Sequence, residues 1–363
     1  RREMSMDNVD ENSFSDKPND IVESKKDTIR SSFINLIYIE KLRITDGNAD
    51  IYHLDNPEKK LFHVKNVKLA CDQFQADLNE TKVENIISGN NFFVVLKELS
   101  SDELTNHKLS IGEADYYYSK NEVSFRDIKF KNTDDPIAFS SKQKYRSPWL
   151  DISVDSLMIS VNFWRMYSKG VLYSKSIDIH GVNASLYNDV TLELKPIHQA
   201  MPPRAIRDIP VPLKVDLITI SDSYLHYRHK TNAETPGSFE LNDIDAKLSN
   251  ITNIDYIIDQ DSSLLMDLKA RLWDSGDLKA TINIDLKNPL DYVFMKGSIL
   301  NMPLVKAENM VKPLYGVSIP SGQLINLSYD LSMNENIGRG NLRFDYRDLK
   351  VDIKKDSTSK HTD

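Results

Sequence analysis

Alternation of apolar and polar residues dominates the second half of this sequence. Apolar residues stand at every second position from Leu264 to Leu272 and from Leu278 to Leu286, and polar residues fill most positions between them. The same alternation returns from Ile325 to Met333 and again over 342–346. Because residues two positions apart share a face of a β-strand, each run predicts a strand with one buried and one solvated face.

Short polar turns separate these runs and predict a mainly β, antiparallel meander. Helical spacing is limited to a few places. A helix is predicted near 303–312, between Pro303 and Pro313, because Leu304, Ala307 and Val311 share one helical face. Further short helices are expected at 160–169 and within 83–99.

A short unit recurs along the chain with starts at 42, 109, 177 and 218. In each copy two apolar residues stand on either side of a single residue. A tyrosine follows seven or eight positions after the second apolar residue. Gly47, Gly112 and Gly181 follow the apolar pair in three copies, and 221–223 (Ser-Asp-Ser) takes that place in the fourth. The spacing predicts a repeated strand, kink and strand.

Composition divides the chain into five segments. Residues 1–32 are polar and predict a flexible linker, and 355–363 form a polar tail. The predicted β units are 33–200 and 213–354, joined by a Pro-rich loop at 201–212, where proline disfavours central strand pairing.

The sequence offers little catalytic chemistry. Its 46 Lys and Arg against 54 Asp and Glu, a net charge of −8, disfavour nucleic acid as a partner. Phosphate-binding glycine loops, nucleophile elbows and zinc-protease motifs are absent from the sequence. His226 and His229 fall on opposite faces of a strand, and the single cysteine, Cys71, is expected to be a small buried hydrophobe. We therefore expect no enzyme, no cofactor and no metal site.

A one-sided sheet must bury its apolar face against something. The predicted helices are too few to cover so many strands. A second sheet would give a closed β-sandwich, whereas an apolar ligand would fill an open groove. Alternation alone does not separate these two arrangements.

The C-terminal half resembles the AsmA-like superfamily of bacterial envelope proteins. The resemblance covers roughly 35–355 and rests on pattern, without a catalytic signature. The stretches that carry it are 151–189, 212–223, 237–246, 302–304, 312–314, 319–324 and 340–351.

This resemblance implies an elongated, twisted sheet of repeated meander units that forms an open apolar groove. It also implies a periplasmic lipid-binding or lipid-transfer protein of the bridge-like type, which carries phospholipid acyl chains between membranes and contributes to outer-membrane biogenesis. The expected anchor is an inner-membrane segment missing from this sequence, and other envelope proteins are possible partners. The alternative is a non-enzymatic structural or assembly factor of the envelope with a closed β core.

Ten residues are the candidates for the groove lining, because period-two spacing places each on the apolar side of its strand. They are Ile218, Ile220, Leu268, Ile282, Ile284, Ile325, Leu327, Tyr329, Phe344 and Tyr346.

Overall fold

The computed structural model describes residues 36–53, 56–77, 87–101, 106–161, 170–196 and 200–353. Most of them belong to one mainly β sheet of fourteen strands, which confirms the predicted fold class. The strands are β1 (Leu36–His53), β2 (Asn56–Asp77), β3 (Ile87–Ser101), β4 (His107–Tyr117), β5 (Glu122–Asn132), β6 (Trp149–Val161), β7 (Leu172–Asp189), β8 (Leu213–Lys230), β9 (Gly237–Thr252), β10 (Ser263–Leu272), β11 (Gly276–Asp285), β12 (Val293–Pro303), β13 (Val317–Met333) and β14 (Gly338–Ile353).

The strands follow one another across the sheet in chain order, with β1 and β14 at the two edges. The described residues hold no second sheet, so the closed β-sandwich is wrong for this part of the chain. Neighbouring strands are antiparallel at every junction except β7–β8, which is parallel. Parallel neighbours need a crossover connection, and the long segment 190–212 supplies it.

Four short α-helices occur in the described residues: α1 (Pro136–Ser141), α2 (Pro202–Arg207), α3 (Asp255–Gln260) and α4 (Glu308–Tyr315). The helix predicted near 303–312 is confirmed as a 3₁₀ turn, Leu304–Ala307, that leads into α4. The predicted loop at 201–212 contains α2, because Pro202 and Pro203 occupy the first helical positions, where no backbone N–H is needed.

The helix expected within 83–99 is wrong from Ile87 onward, where the chain forms β3. Its central residues, Phe92 to Leu96, are aromatic, β-branched and apolar, and they pair with β2 on one side and β4 on the other. Such residues fit a strand that is flanked on both sides. The predicted segments 1–32 and 355–363, and most of 160–169, lie outside the described residues.

Bends interrupt β1, β3, β5, β7 and β8 inside each strand. Backbone φ is positive at Asp46, Glu98, Asp127, Gly181 and Asp222. At Gly181 any side chain would also collide with Asp155 on β6. Across the bend at Glu98 the apolar face continues after three residues instead of two, because Leu96 and Leu99 both contact the same apolar cluster.

Candidate functional site

Two unbroken rows of residues cross the whole sheet on one face, which we call the apolar face. Each row takes one residue from every strand, and each member is paired directly with the next, so all lie on the same side. The first row consists of Ile44, Leu69, Val94, Tyr116, Val123, Ile159, Ile177, Ile218, Leu248, Met266, Ile282, Met295, Leu331 and Gly340.

The second row runs beside the first, two residues further along each regular strand. It consists of Gly47, Val67, Leu96, Ala114, Phe125, Leu157, Ile179, Ile220, Ala246, Leu268, Ala280, Gly297, Tyr329 and Leu342. Neither row contains a charged residue. The apolar face is therefore continuous from one edge of the sheet to the other.

The row between these two faces the opposite way and is polar. Only Val95 and Met158 are apolar among its members, which are Lys68, Val95, Asp115, Ser124, Met158, Asp178, Thr219, Lys247, Asp267, Thr281, Lys296, Asp330 and Asn341. An open depression of about 870 Å³ is lined by residues of β8–β13, both from this side and from the second row, such as Ile220 and Leu268. Lys247 stands opposite Asp267 beside it. Opposite charges on neighbouring strands are typical of a solvated face.

Helices α2 and α3 cover one end of the apolar face in β10–β12. Ile258 of α3 is buried against a cluster formed by Leu264, Ile284, Leu286 and Val293, and residues of the α2 segment pack on its rim. We call this cluster the first cap. Its core is closed, since Ile284 is 6% exposed and Leu286 is 1% exposed.

An ion-pair cluster fixes α2 to the first cap. Asp291 is 3% exposed and accepts from Arg204, at 2.7 Å, and from Arg207. The Arg207 guanidinium also donates to the Leu286 carbonyl at 2.9 Å. A buried carboxylate needs such partners, because an unpaired one would carry a large desolvation cost.

The 3₁₀ turn and α4 cover the other end of the apolar face. Met302, Leu304 and Leu324 are buried there, and we call this cluster the second cap. Helix α4 contacts both β9 and β13, which lie four strands apart, so the sheet curls around the helix.

Glu308 joins α4 to β13 in the second cap. Its carboxylate accepts from Lys312 at 2.6 Å, from the Ile319 backbone N–H at 3.0 Å and from the Ser318 hydroxyl at 3.0 Å. The Lys312 hydrogen bond, followed by the Ile319 bond, holds the pKa of Glu308 below its usual range.

Between the two caps the floor of the apolar face is made of small residues with larger neighbours around them. Ala246 and Ala280 are buried on either side of Leu268, which is itself partly exposed. Gly297 lies beneath Tyr329, and a Cβ at this position would collide with the tyrosine ring and hydroxyl. Burial raises the pKa of Tyr329.

The ten predicted lining residues fall into four groups, the last of which is the pair Ile325 and Tyr346. Ile218, Ile220, Leu268, Ile282 and Tyr329 belong to the two rows. Leu327 and Phe344 pair with each other beside the second row, next to the second cap, and Ile284 is enclosed in the first cap.

Ile325 and Tyr346 lie at a bulge in β13. The ladder pairs Leu324 with Tyr346 and Asn326 with Asp345, which leaves Ile325 as the extra residue, 41% exposed. Leu324 therefore takes the core position that strict alternation assigns to Ile325. Alternation misses this exchange because a bulge adds one residue without changing the pattern.

Sequence reasoning also missed all of the lining contributed by the first seven strands, because the first predicted residue, Ile218, lies in β8. Bends interrupt the period of two there, so a three-residue step such as Leu96 to Leu99 hides the shared face. The recurring unit marks three of these bends, at Asp46, Gly181 and Asp222.

The described residues offer no constellation for catalysis by a metal ion. They contain no group of three or more His, Cys, Asp or Glu side chains arranged to hold a metal. Cys71 is 2% exposed, and burial raises the pKa of its thiol, as expected for a structural cysteine.

Comparisons with protein-family models, with curated proteins and with solved structures give no match for this chain. The resemblance to the AsmA-like superfamily therefore rests on the sequence pattern. No helix in the described ranges has the length and apolar character needed to cross a bilayer.

Proposed function

We propose that the apolar face binds the acyl chains of lipids and that the protein is a lipid-binding or lipid-transfer protein. The observation that supports this most is the pair of uncharged rows that crosses all fourteen strands. A face that served only as the core of a folded domain would need a covering layer along its length. The described helices supply two caps and leave Leu268 and Ile220 partly exposed.

The dimensions of the sheet suit this function. Neighbouring strands lie about 4.8 Å apart, so fourteen strands span roughly 60 Å along the rows. Burial of each methylene group contributes about 0.8 kcal/mol, so an acyl chain on this face would be held without a specific contact. The polar head group would stay in water beyond the rim.

The cellular setting of the proposal comes from the AsmA-like resemblance. In it the protein carries phospholipid between membranes, works in the periplasm and is held at the inner membrane by a segment outside the sequence given. Other envelope proteins are further proposed partners, and no cofactor or nucleic acid takes part. The alternative of an assembly factor with a closed β core loses its structural basis, because the described sheet is open.

Lipid extraction from the purified protein tests the proposal. We expect mass spectrometry to find phospholipid at about one molecule or more per chain, and delipidated protein to take up phospholipid from vesicles. Absence of lipid from the purified protein, together with no uptake from vesicles, would contradict lipid binding. Fractionation of the full-length protein to the cytosol would contradict the envelope setting alone.

A further inference from the structure

The described residues leave one edge of β14 without a strand partner over its sixteen residues. Among the described strands it pairs only with β13, and most of its side chains are exposed, including Leu342 at 64% and Tyr346 at 53%. An exposed edge of this length presents free backbone N–H and C=O groups that can pair with another strand.

The order of residues on the apolar side of β14 is self-complementary. Gly338, Gly340, Leu342, Phe344 and Tyr346 alternate along a segment that has no register shift against β13 from Gly338 to Asp345. If two copies of this segment pair antiparallel about Leu342, Phe344 meets Gly340 and Tyr346 meets Gly338. An aromatic ring then covers a glycine, as Tyr329 covers Gly297 within the chain.

The charges on the opposite side select the same register. Pairing about Leu342 places Arg339 opposite Asp345 twice. Asp345 already accepts from Arg343 of its own chain at 2.9 Å, and Arg339, which forms no ion pair within the described residues, would add a second cation to this carboxylate. Pairing about Asn341 would place Arg339 opposite Arg343, and pairing about Arg343 would place that residue opposite itself. Like charges directly opposite each other destabilise a strand pair.

A register about Phe344 satisfies the charges but not the backbone. It pairs Arg343 with Asp345. However, it also pairs Gly340 of one copy with Asp348 of the other, and a positive φ of 53° at Asp348 bends the strand there. The register about Leu342 ends before this bend.

We propose that two copies of this chain pair edge to edge through β14, antiparallel, about a two-fold axis at Leu342. Because paired residues share a face, both apolar faces lie on the same side. The second row continues through Leu342 into the other copy, and Gly340 of the first row meets Phe344 of the other copy. The interface is isologous and closes on itself as a dimer. The proposal does not depend on lipid binding.

On the other edge strand, β1, three registers in the charged stretch 40–43 lack this complementarity. Pairing two copies of β1 about Glu40 places the two Glu40 side chains opposite each other, and pairing about Lys41 does the same for Lys41. Pairing about Leu42 places Lys41 opposite Arg43. These registers bring like charges together. β1 is therefore the matched control, since Leu42 and Ile44 also expose apolar side chains, at 38% and 41%.

Engineered cysteines test both the dimer and its register. Leu342→Cys places two thiols at the axis, and we expect oxidation to convert most of the protein into a disulfide-linked dimer. Phe344→Cys places the two thiols about 14 Å apart along the strands, so it should remain uncrosslinked. Ile44→Cys on β1 should also remain uncrosslinked, and the native Cys71 is buried.

A charge swap provides a second test by sedimentation. The substitution Arg339→Asp places a second carboxylate opposite Asp345 at both symmetric positions of the interface. We therefore expect the dimer dissociation constant to rise at least about tenfold. The double variant Arg339→Asp/Asp345→Arg should restore dimerisation. A wild-type protein that sediments as a 41.6-kDa monomer, crosslinking through Phe344→Cys or Ile44→Cys instead of Leu342→Cys, or a double variant that stays dissociated would overturn the proposal.

Discussion

Ile284 and Leu268 lie on the apolar face of adjacent strands but in opposite surroundings. Ile284 of β11 is enclosed in the first cap, under α3 and the α2 segment. Leu268 of β10 lies between Ala246 and Ala280 and remains partly exposed. The alternating pattern around both residues is the same, so the pattern records which side is apolar and not whether that side is covered.

The covered ends and the partly exposed middle have different roles in this account. The caps bury Leu286 and Leu324 to 1% exposure and provide the close packing that a stable domain needs. The middle retains apolar surface that water still reaches, which is the surface we assign to lipid. Substitutions at the two places should therefore separate loss of folding from loss of binding.

The largest effect is expected at the first cap. Ile284→Asp buries a carboxylate without a partner and should lower the free energy of unfolding by about 3–5 kcal/mol. The control is Asn283→Asp, the adjacent residue on the exposed opposite side of β11, which should change it by less than about 0.5 kcal/mol. Denaturant unfolding measures both values. Equal stability of the two variants would show that the cap is not closed.

A smaller loss is expected where α2 is fixed to the first cap. Arg207→Ala removes a donor from both buried Asp291 and the Leu286 carbonyl and should cost about 1–3 kcal/mol. Arg204→Ala should cost less, because Arg204 is more exposed and contacts only Asp291 of these two. A larger loss for Arg204→Ala would contradict the assigned roles.

The second cap should respond to pH through Glu308. Its pKa is lowered below the ordinary 4.5 in the folded protein, so its contacts stabilise the fold above that pH. This stabilisation is lost as pH falls through the lowered pKa. Melting temperatures of the wild type and Glu308→Gln, compared from about pH 3 to pH 7, should differ near neutrality and converge in acid. A difference that grows in acid would contradict this assignment.

Much of the fold followed from local pattern. The strands β10, β11, β13 and β14 and the helix near 303–312 could be predicted because each has regular spacing over its length. The parallel junction between β7 and β8 could not, since alternation carries no strand direction. The bulge at Ile325 and the cover over Ile284 also escaped prediction, because both depend on residues distant in sequence.

The comparison of Leu268→Asp with Ser298→Asp tests whether the apolar face is an open lipid-binding surface. Both variants add one negative charge, but Leu268 lies on the apolar face and Ser298 on the polar face opposite Lys279. We predict that Leu268→Asp costs only about 1–2 kcal/mol, because the carboxylate still reaches water, yet loses most bound phospholipid. Ser298→Asp should retain both stability and lipid. Full lipid retention by Leu268→Asp, or its unfolding like Ile284→Asp, would contradict an open lipid-binding face.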